Sequence, residues 1–353
     1  MSWDEPGTET VVPGVHRAPV PLPMDGLRAI NVYVIEDGDG VTLIDAGWND
    51  TEYEHPVARE AVDAGLAAAG AEMGDVNRIL VTHVHYDHVG QATELVRAGA
   101  GGYWLGERDK PSFDKLTSDP LASRAERMAL LETYGATELA DRSRARKPML
   151  TEPVDWDEPE RWIDDGDTHT TAVGAFVAIA TPGHTAGHHV FHLPERRLLF
   201  AGDHVLPRIT PSIGLESNTN RLALVHFLES LAKIRNLDVD LVLPAHGAPW
   251  PDLAGRVDEL VAHHDDRLAA SRAAVGAAHT DGVPTVGMGT TAYDVAKALP
   301  WTRRQTAFAD LDLFNQVLAT WETAAHLELL VQRGDLLRLE DEVIRFLRPP
   351  GSP

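Results

Sequence analysis

The 353-residue sequence predicts an α/β fold carrying a helical insertion and a small C-terminal helical module with a hairpin. Three observations lead there. Short apolar, β-branched runs recur between residues 10 and 45 and again between 175 and 243, with turn residues between them. Helical patterns separate several of these runs, as at Glu52 to Ala69 and Arg221 to Arg235. Several runs end in glycine-flanked His or Asp, the arrangement expected of a site built at strand ends.

In chain order, Val11-Val12, Val15 to Arg17, Asn31 to Glu36 and Val41 to Asp45 read as strands. Asp37-Gly38-Asp39-Gly40 forms a turn between the last two. The fourth run ends in Asp45, a carboxylate that would serve equally as a turn residue. Helix Glu52 to Ala69 follows, with Val57, Ala61, Ala64 and Ala68 on one stripe. A buried strand, Arg78 to Thr82, then delivers Thr82-His83-Val84-His85-Tyr86-Asp87-His88. Extended chain to Asp87 would send His83, His85 and Asp87 to one side, with Tyr86 turned away to pack. His88 would open a helix from Val89 to Arg97. Imidazole and carboxylate are the donors zinc and similar ions prefer.

Residues 102–105 offer another short strand, and from Glu107 to Trp162 the chain is charged and helix-prone. Ala122 to Tyr134 is its best helix. An insertion of this length between core elements is expected to cover a pocket. Its one dense basic cluster, Arg142 to Lys147, would suit either a phosphate-bearing substrate tail or a solvated helix end. Strands return at Phe176 to Ala180, Val190 to His192, Arg197 to Ala201 and Asp240 to Leu243. They deliver Gly183-His184, Gly202-Asp203-His204 and His246-Gly247. His83, His85, Asp87, His88, His184, Asp203 and His246 together make seven donors, enough for two metals.

Composition narrows the partners. With 43% hydrophobic residues the chain has material for a substantial core. There is no apolar run of about 18 residues, and no basic-then-apolar leader at the start, so cytoplasm is the expected location. A formal net charge of −23 works against broad polyanion binding. The absence of cysteine removes disulfides and thiolate ligands.

Thr-His-x-His-x-Asp-His, Pro-Gly-His-Thr, Gly-Asp and Pro-x-His-Gly, in this order, resemble the metallo-β-lactamase fold superfamily, glyoxalase II-like branch. The resemblance covers about residues 10–262 and implies an αββα sandwich holding its metals at one edge between the sheets. By matching position, it implies that His83, His85 and His184 bind a first metal. Asp87, His88 and His246 would bind a second, Asp203 would bridge the two, and Asp45 would support the site from behind. The cysteine ligand of some true β-lactamases is missing. A diiron flavoprotein branch carries Glu where His85 stands, so two zinc ions are the expected cofactors. His204, beside the bridging Asp, is a candidate substrate contact, whereas His188, His189 and His192 are assigned to packing.

Residues 1–262 therefore read as the catalytic domain, with 107–162 as its cover. Residues 263–353 read as a linker helix and a second module. There the long helix after Leu253 carries His263-His264, read as solvent-facing. Ala292 to Leu299, Phe308 to Val331 and a hairpin of Leu336 to Leu339 with Val343 to Leu347 follow. This tail resembles the winged-helix module of a family subgroup that includes a mitochondrial endoribonuclease. Its recognition-helix position, Trp321 to Arg333, presents Glu322 and Glu328 against a single Arg333, so a packing or dimerising role is expected, with a second copy of the chain as candidate partner.

The expected reaction is hydrolysis of a thioester or related ester of a small acyl substrate by a metal-bridging hydroxide, with Asp87 or Asp203 handling its proton. A lactonase, a nuclease or nucleic-acid-binding factor, and an iron-dependent sulfur dioxygenase are the alternatives. No membrane role is expected.

Overall fold

The computed structural model describes residues 3–23, 27–49, 57–216, 220–276 and 289–350. The chain divides into two compact units, one of Met1–Phe113, Asp155–Pro211 and Ser230–Asp258, the other of Asp114–Val154, Ser212–Glu229 and Glu259–Pro353.

In the first unit a seven-stranded sheet runs in chain order: β1 (Glu9–Val12), β2 (Val15–Pro21), β3 (Ala29–Asp37), β4 (Gly40–Ile44), β5 (Val76–Leu80), β6 (Tyr103–Gly106) and β7 (Arg161–Ile163). β1 to β4 form an antiparallel meander. From β4 onward the pairs are parallel, so each needs a crossover. Helix α1 (Val57–Ala68) supplies the first, and α2 (Tyr86–Val89) with α3 (Ala92–Arg97) the second. Gly65 of α1 lies against Ala18 and Val34, so the helix covers the outer face of this sheet.

The second sheet contains β8 (Thr168–Thr171), β9 (Gly174–Ala180), β10 (His189–Leu193), β11 (Leu198–Gly202) and β12 (Leu241–Pro244), in the order β12-β11-β10-β9-β8. Between the sheets, Tyr33, Ile35, Ile44 and Leu80 meet Phe176, Phe191, Phe200 and Leu243 in one buried cluster. Each such side chain contributes roughly 1.5–3 kcal/mol by leaving water. Two sheets face to face with helices outside make the αββα sandwich.

Strand direction fixes where a site can form. β9 and β11 are both antiparallel to β10, so they run the same way, and β12 is parallel to β11. The ends of β9, β11 and β12 therefore open on one edge, and each carries one of the expected donors.

The sequence did not announce β7 and β8. Both are short, and Thr168–Thr171 alternates only between exposed and half-buried polar residues, so no apolar period marks it. The helix expected from Val89 begins earlier, at Tyr86, pauses at Gly90-Gln91 and resumes at Ala92. Residues 52–56 of the helix read as Glu52 to Ala69, and residues 277–278 at the end of the long helix, lie outside the described residues.

The second unit is mainly helical. Its residues come from α4 (Lys110–Ser118), α5 (Pro120–Thr133), α6 (Thr137–Arg144), α7 (Ala223–Ile234), α8 (Leu253–Ala274), α9 (Ala292–Ala298) and α10 (Leu313–Gln332). The division between units falls inside α4, α7 and α8. Asp119, Thr291 and Asp312 cap α5, α9 and α10 by accepting a backbone N–H of the first turn. A hairpin of β13 (Leu337–Leu339) and β14 (Arg345–Leu347) closes the chain. Met128, Leu131, Leu139, Leu313, Val317 and Trp321 form the apolar cluster of this unit. Of the tail aromatics, Trp301, Phe308 and Trp321 are buried and Phe314 is exposed.

Two readings of this region need correction. Glu328 is not presented to solvent: it is buried, pairs with Arg338 at 3.1 Å and accepts from the Tyr134 hydroxyl at 3.4 Å. Glu322 is half-buried on the same helix, because α10 runs through the interior of the unit rather than along its surface. His264 is likewise fully buried, with Nδ1 3.1 Å from His326 Nε2. Periodicity of apolar residues cannot reveal a histidine pair that satisfies itself inside. Two of the four basic side chains of the cluster are engaged by protein groups: Arg142 reaches Gln316 at 3.0 Å, and Arg144 reaches Glu132 and Asp141 at 2.5 and 3.0 Å.

The buried pair carries a pH prediction. Burial pushes His264 well below its ordinary range and His326 down to about 3, against an ordinary 6.5. The unfolded chain therefore binds protons that the folded chain refuses, so this contribution is complete above about pH 6.5 and is lost as pH falls toward 3. His326 alone should cost about 2 kcal/mol of stability between pH 7 and 5. Urea denaturation should show His326→Gln losing less stability over that interval than the wild type. Equal losses would contradict the assignment.

Candidate metal centre

Every one of the seven expected donors lies in the first unit, His184, Asp203 and His246 after β9, β11 and β12 and the other four after β5. They fall into three overlapping groups: His83 with His85 and His184; His83 with His88 and Asp203; Asp87 with His88 and His246. Within each group the donor atoms lie within 4.8 Å of one another. His85 Nδ1 stands 2.8 Å from His83 Nε2 and 3.0 Å from His184 Nε2. Asp203 reaches both ends of the cluster, with Oδ2 3.5 Å from His184 Nε2 and Oδ1 3.4 Å from His246 Nε2. Asp87 Oδ2 is 3.4 Å from His246 Nε2 and 3.7 Å from His88 Nε2.

Asp87 arrives by a different route from the one alternation suggested. His85 is extended (φ −65°, ψ 147°) and precedes the first helical residue, so Asp87 and His88 project from the first turn of α2 instead of continuing the strand. The turn is fixed from outside, where Ala46 N–H donates to the His88 carbonyl at 2.8 Å and Gln91 N–H to Gly47 at 3.1 Å.

The second ring nitrogens of His83, His88 and His246 are committed elsewhere. Asp45, in the left-handed region at φ 62°, accepts from Thr82 N–H at 2.8 Å and, through its other oxygen, from His88 Nδ1 at 2.9 Å. A carboxylate can only accept, so His88 Nδ1 carries the proton and Nε2 is left as a lone-pair donor. His246 Nδ1 likewise donates to the Ala29 carbonyl at 2.8 Å. Thr82 Oγ1 lies 3.1 Å from His83 Nδ1. Asp45 thus supports the ring of His88 from behind.

These commitments leave His88 Nε2, His246 Nε2 and Asp203 Oδ1 buried without a hydrogen-bond partner. Buried polar atoms in this state are rare unless something else meets them, and converging lone pairs of N and O suit a divalent cation. Against the lowering effect of burial, Asp45, Asp87 and Asp203 raise His88 to about 10. Burial and the surrounding imidazoles push His83 far down. Burial opposes ionisation of Asp203 too, yet His246, His88 and His184 hold its carboxyl below the usual range. The pocket demands positive charge, which a proton on His88 or a metal ion can supply. Ligation requires the proton to leave.

Sequence reasoning missed three supporting residues. His188, assigned to packing, donates from Nδ1 to Thr181 Oγ1 at 2.8 Å and accepts the Asp203 N–H on Nε2 at 3.1 Å. Gly202 at φ 49° lets this happen, since a Cβ there would come within 2.7 Å of His188 Nε2. Asp109 and Asn31 stand in positions with no local motif, and neither drew notice. His189 and His192 lie on β10, with His189 Nδ1 bonded to the Gly187 carbonyl at 2.8 Å. His204 is fully buried, its ring 5.9 Å from that of His188, so contact with substrate would require that burial to open. Tyr86 packs edge-on against Trp48, ring centres 4.7 Å apart.

Residues 25–246 match the metallo-beta-lactamase superfamily, and the chain belongs to that family. A beta-lactamase-like protein 2 homolog of Caenorhabditis elegans is 26% identical over 244 residues, covering 68% of this chain and 63% of that protein. The chain thus spans less than two thirds of that relative's length. A probable metallo-hydrolase of Bacillus subtilis is 25% identical over 69% of this chain and 74% of its own. Among solved structures, a metallo-beta-lactamase family protein from Thermus thermophilus superposes with a TM-score of 0.72 at 28% identity, over 96% of this chain and 100% of that one. No helix among the described residues is long and apolar enough to cross a membrane.

Proposed function

We propose that the protein is a metal-dependent hydrolase of thioesters or related esters. His83, His85 and His184 would hold one ion and Asp87, His88 and His246 a second, with Asp203 between them. The observation that carries this reading is the set of buried, unpartnered donor atoms at one sheet edge, His88 Nε2, His246 Nε2 and Asp203 Oδ1. Nitrogen and carboxylate donors without sulfur favour zinc, and two such ions would supply Lewis acidity and bring a coordinated water near neutrality in pKa. The remaining work falls to the protein. Asp45 and the Ala29 carbonyl keep His88 and His246 in the tautomer that points Nε2 inward. Asp87 and Asp203 present carboxylate oxygens that can take the proton of a water as it adds to a substrate carbonyl. That proton can then pass to the departing sulfur or oxygen, giving an acid and a thiol or alcohol.

The same arrangement could open a lactone, so the test is comparative. Acyl-thioesters, lactones, RNA and a persulfide offered with oxygen should be tried on protein loaded with zinc or with iron. Turnover of thioesters above the others, lost on chelation and restored by zinc, is the expected result. Preference for RNA would overturn it, and gel-shift measurements are expected to show little RNA affinity given the acidic chain. Asp45→Asn should lower metal affinity about 10–100-fold, since the amide has one acceptor oxygen where the carboxylate offers one to Thr82 and another to His88. Competition with a chelator measures this directly.

A further inference from the structure

Two buried polar groups reach the metal-ligand loops from outside, and they reach different ones. Asp109, fully buried just after β6, accepts three hydrogen bonds. Oδ2 takes the Val84 N–H at 2.9 Å and the Thr185 hydroxyl at 3.1 Å, and Oδ1 takes the Gly187 N–H at 2.7 Å. Val84 sits between His83 and His85, and Thr185 follows His184. One carboxylate therefore ties together the backbone segments of all three members of the first triad. A Cβ at Gly187 would come within 2.3 Å of the Asp109 nitrogen, so glycine permits the approach.

Asn31, also fully buried, serves the other end. Its Nδ2 donates to the carbonyls of Pro244 at 2.9 Å and Gly247 at 2.8 Å, the residues on either side of Ala245-His246. The Asn31 N–H donates to the Ala245 carbonyl at 2.7 Å, and the Tyr33 hydroxyl to Pro244 at 2.8 Å. Arg17 Nη1 fixes the amide by donating to Oδ1 at 3.0 Å. The His246 loop is thus clamped onto β3 of the opposite sheet.

We infer that the two metal subsites are held by separate clamps, Asp109 positioning His83, His85 and His184, and Asn31 positioning His246, so that either subsite can be weakened without the other. Neither residue offers an atom to a metal or to substrate. Both are positioning residues that act through the loops they hold. Backbone held in place before the ion arrives need not be ordered when it binds, and this is the source of the effect. The inference rests on the dinuclear reading above.

The test is cobalt titration of metal-free protein in competition with a chelator, followed by d–d absorption. His184→Ala and His246→Ala identify which binding step and which band belong to each subsite. Asp109→Asn, which keeps acceptors for Val84 and Thr185 but loses the one for Gly187, should weaken the step abolished in His184→Ala by about 10-fold, and Asp109→Ala by about 100-fold. Asn31→Leu should weaken the His246 step by a similar factor and leave the other within about threefold. Circular dichroism and melting of the metal-free variants check that each remains folded. If Asp109→Asn or Asn31→Leu lowers both steps together, or neither, the clamps are not separate and the inference fails while the dinuclear reading stands. If the wild type itself binds a single cobalt, both fall.

Discussion

Asp203→Ala is expected to strip tight binding from both metal subsites, with a loss of about 100-fold or more in affinity and at least as much in hydrolytic rate. Its two carboxylate oxygens face different partners, Oδ2 toward His184 and Oδ1 toward His88 and His246. Removing it takes away the carboxylate between His184 and the other two imidazoles, with Asp87 remaining only on the His88 and His246 side. His246→Ala should behave differently, because His246 groups with Asp87 and His88 and not with His83, His85 or His184. It should release one ion and keep the other. Metal analysis after gel filtration distinguishes the two variants. Retention of two ions per chain by Asp203→Ala would remove Asp203 from its proposed place between the subsites.

Trp321→Ala should produce the largest loss of stability, about 3–5 kcal/mol. The ring is buried among Met128, Leu131 and Leu139 of α5 and α6, which lie far from it in sequence, and Leu313 and Val317 of its own helix α10. Truncation would leave a cavity that these helices cannot close, and a loss of that size is a large share of the roughly 5–15 kcal/mol that a native protein has. Because the chain forms two compact units, unfolding followed by several probes is the appropriate measurement, with the change expected in the transition of the second unit. A midpoint within a degree or two of the wild type would show that the cluster contributes little. The same packing bears on residues 107–162. Met128, Leu131 and Leu139 belong to that stretch, so deleting it would open this core as well as remove any cover.

Much of the site was legible in the sequence because ligand chemistry is local. Four donors within six residues, His83, His85, Asp87 and His88, announce themselves without a partner, and Gly-flanked His184, Asp203 and His246 need only the assumption that their strands share an edge. The tertiary structure supplied that edge through the direction of β9, β11 and β12. Apolar alternation also marked most of the strands that build the core, since each buries one or both faces. What alternation cannot register is a polar residue whose partner lies far along the chain. Asp109 bonds to residues 25 and 76–78 positions away, and Asn31 to carbonyls more than 200 positions away. Burying such groups is favourable only once those partners are in place, so their roles exist only in the folded chain. His264, paired with His326, and Glu328, which accepts from the Tyr134 hydroxyl, follow the same rule. Each looked like a surface residue because its type usually is one. By itself the sequence marked the candidate donors and the strands that carry them; which buried polar groups hold those residues in place was decided by tertiary contacts that satisfy a charge or hydrogen bond no local segment could.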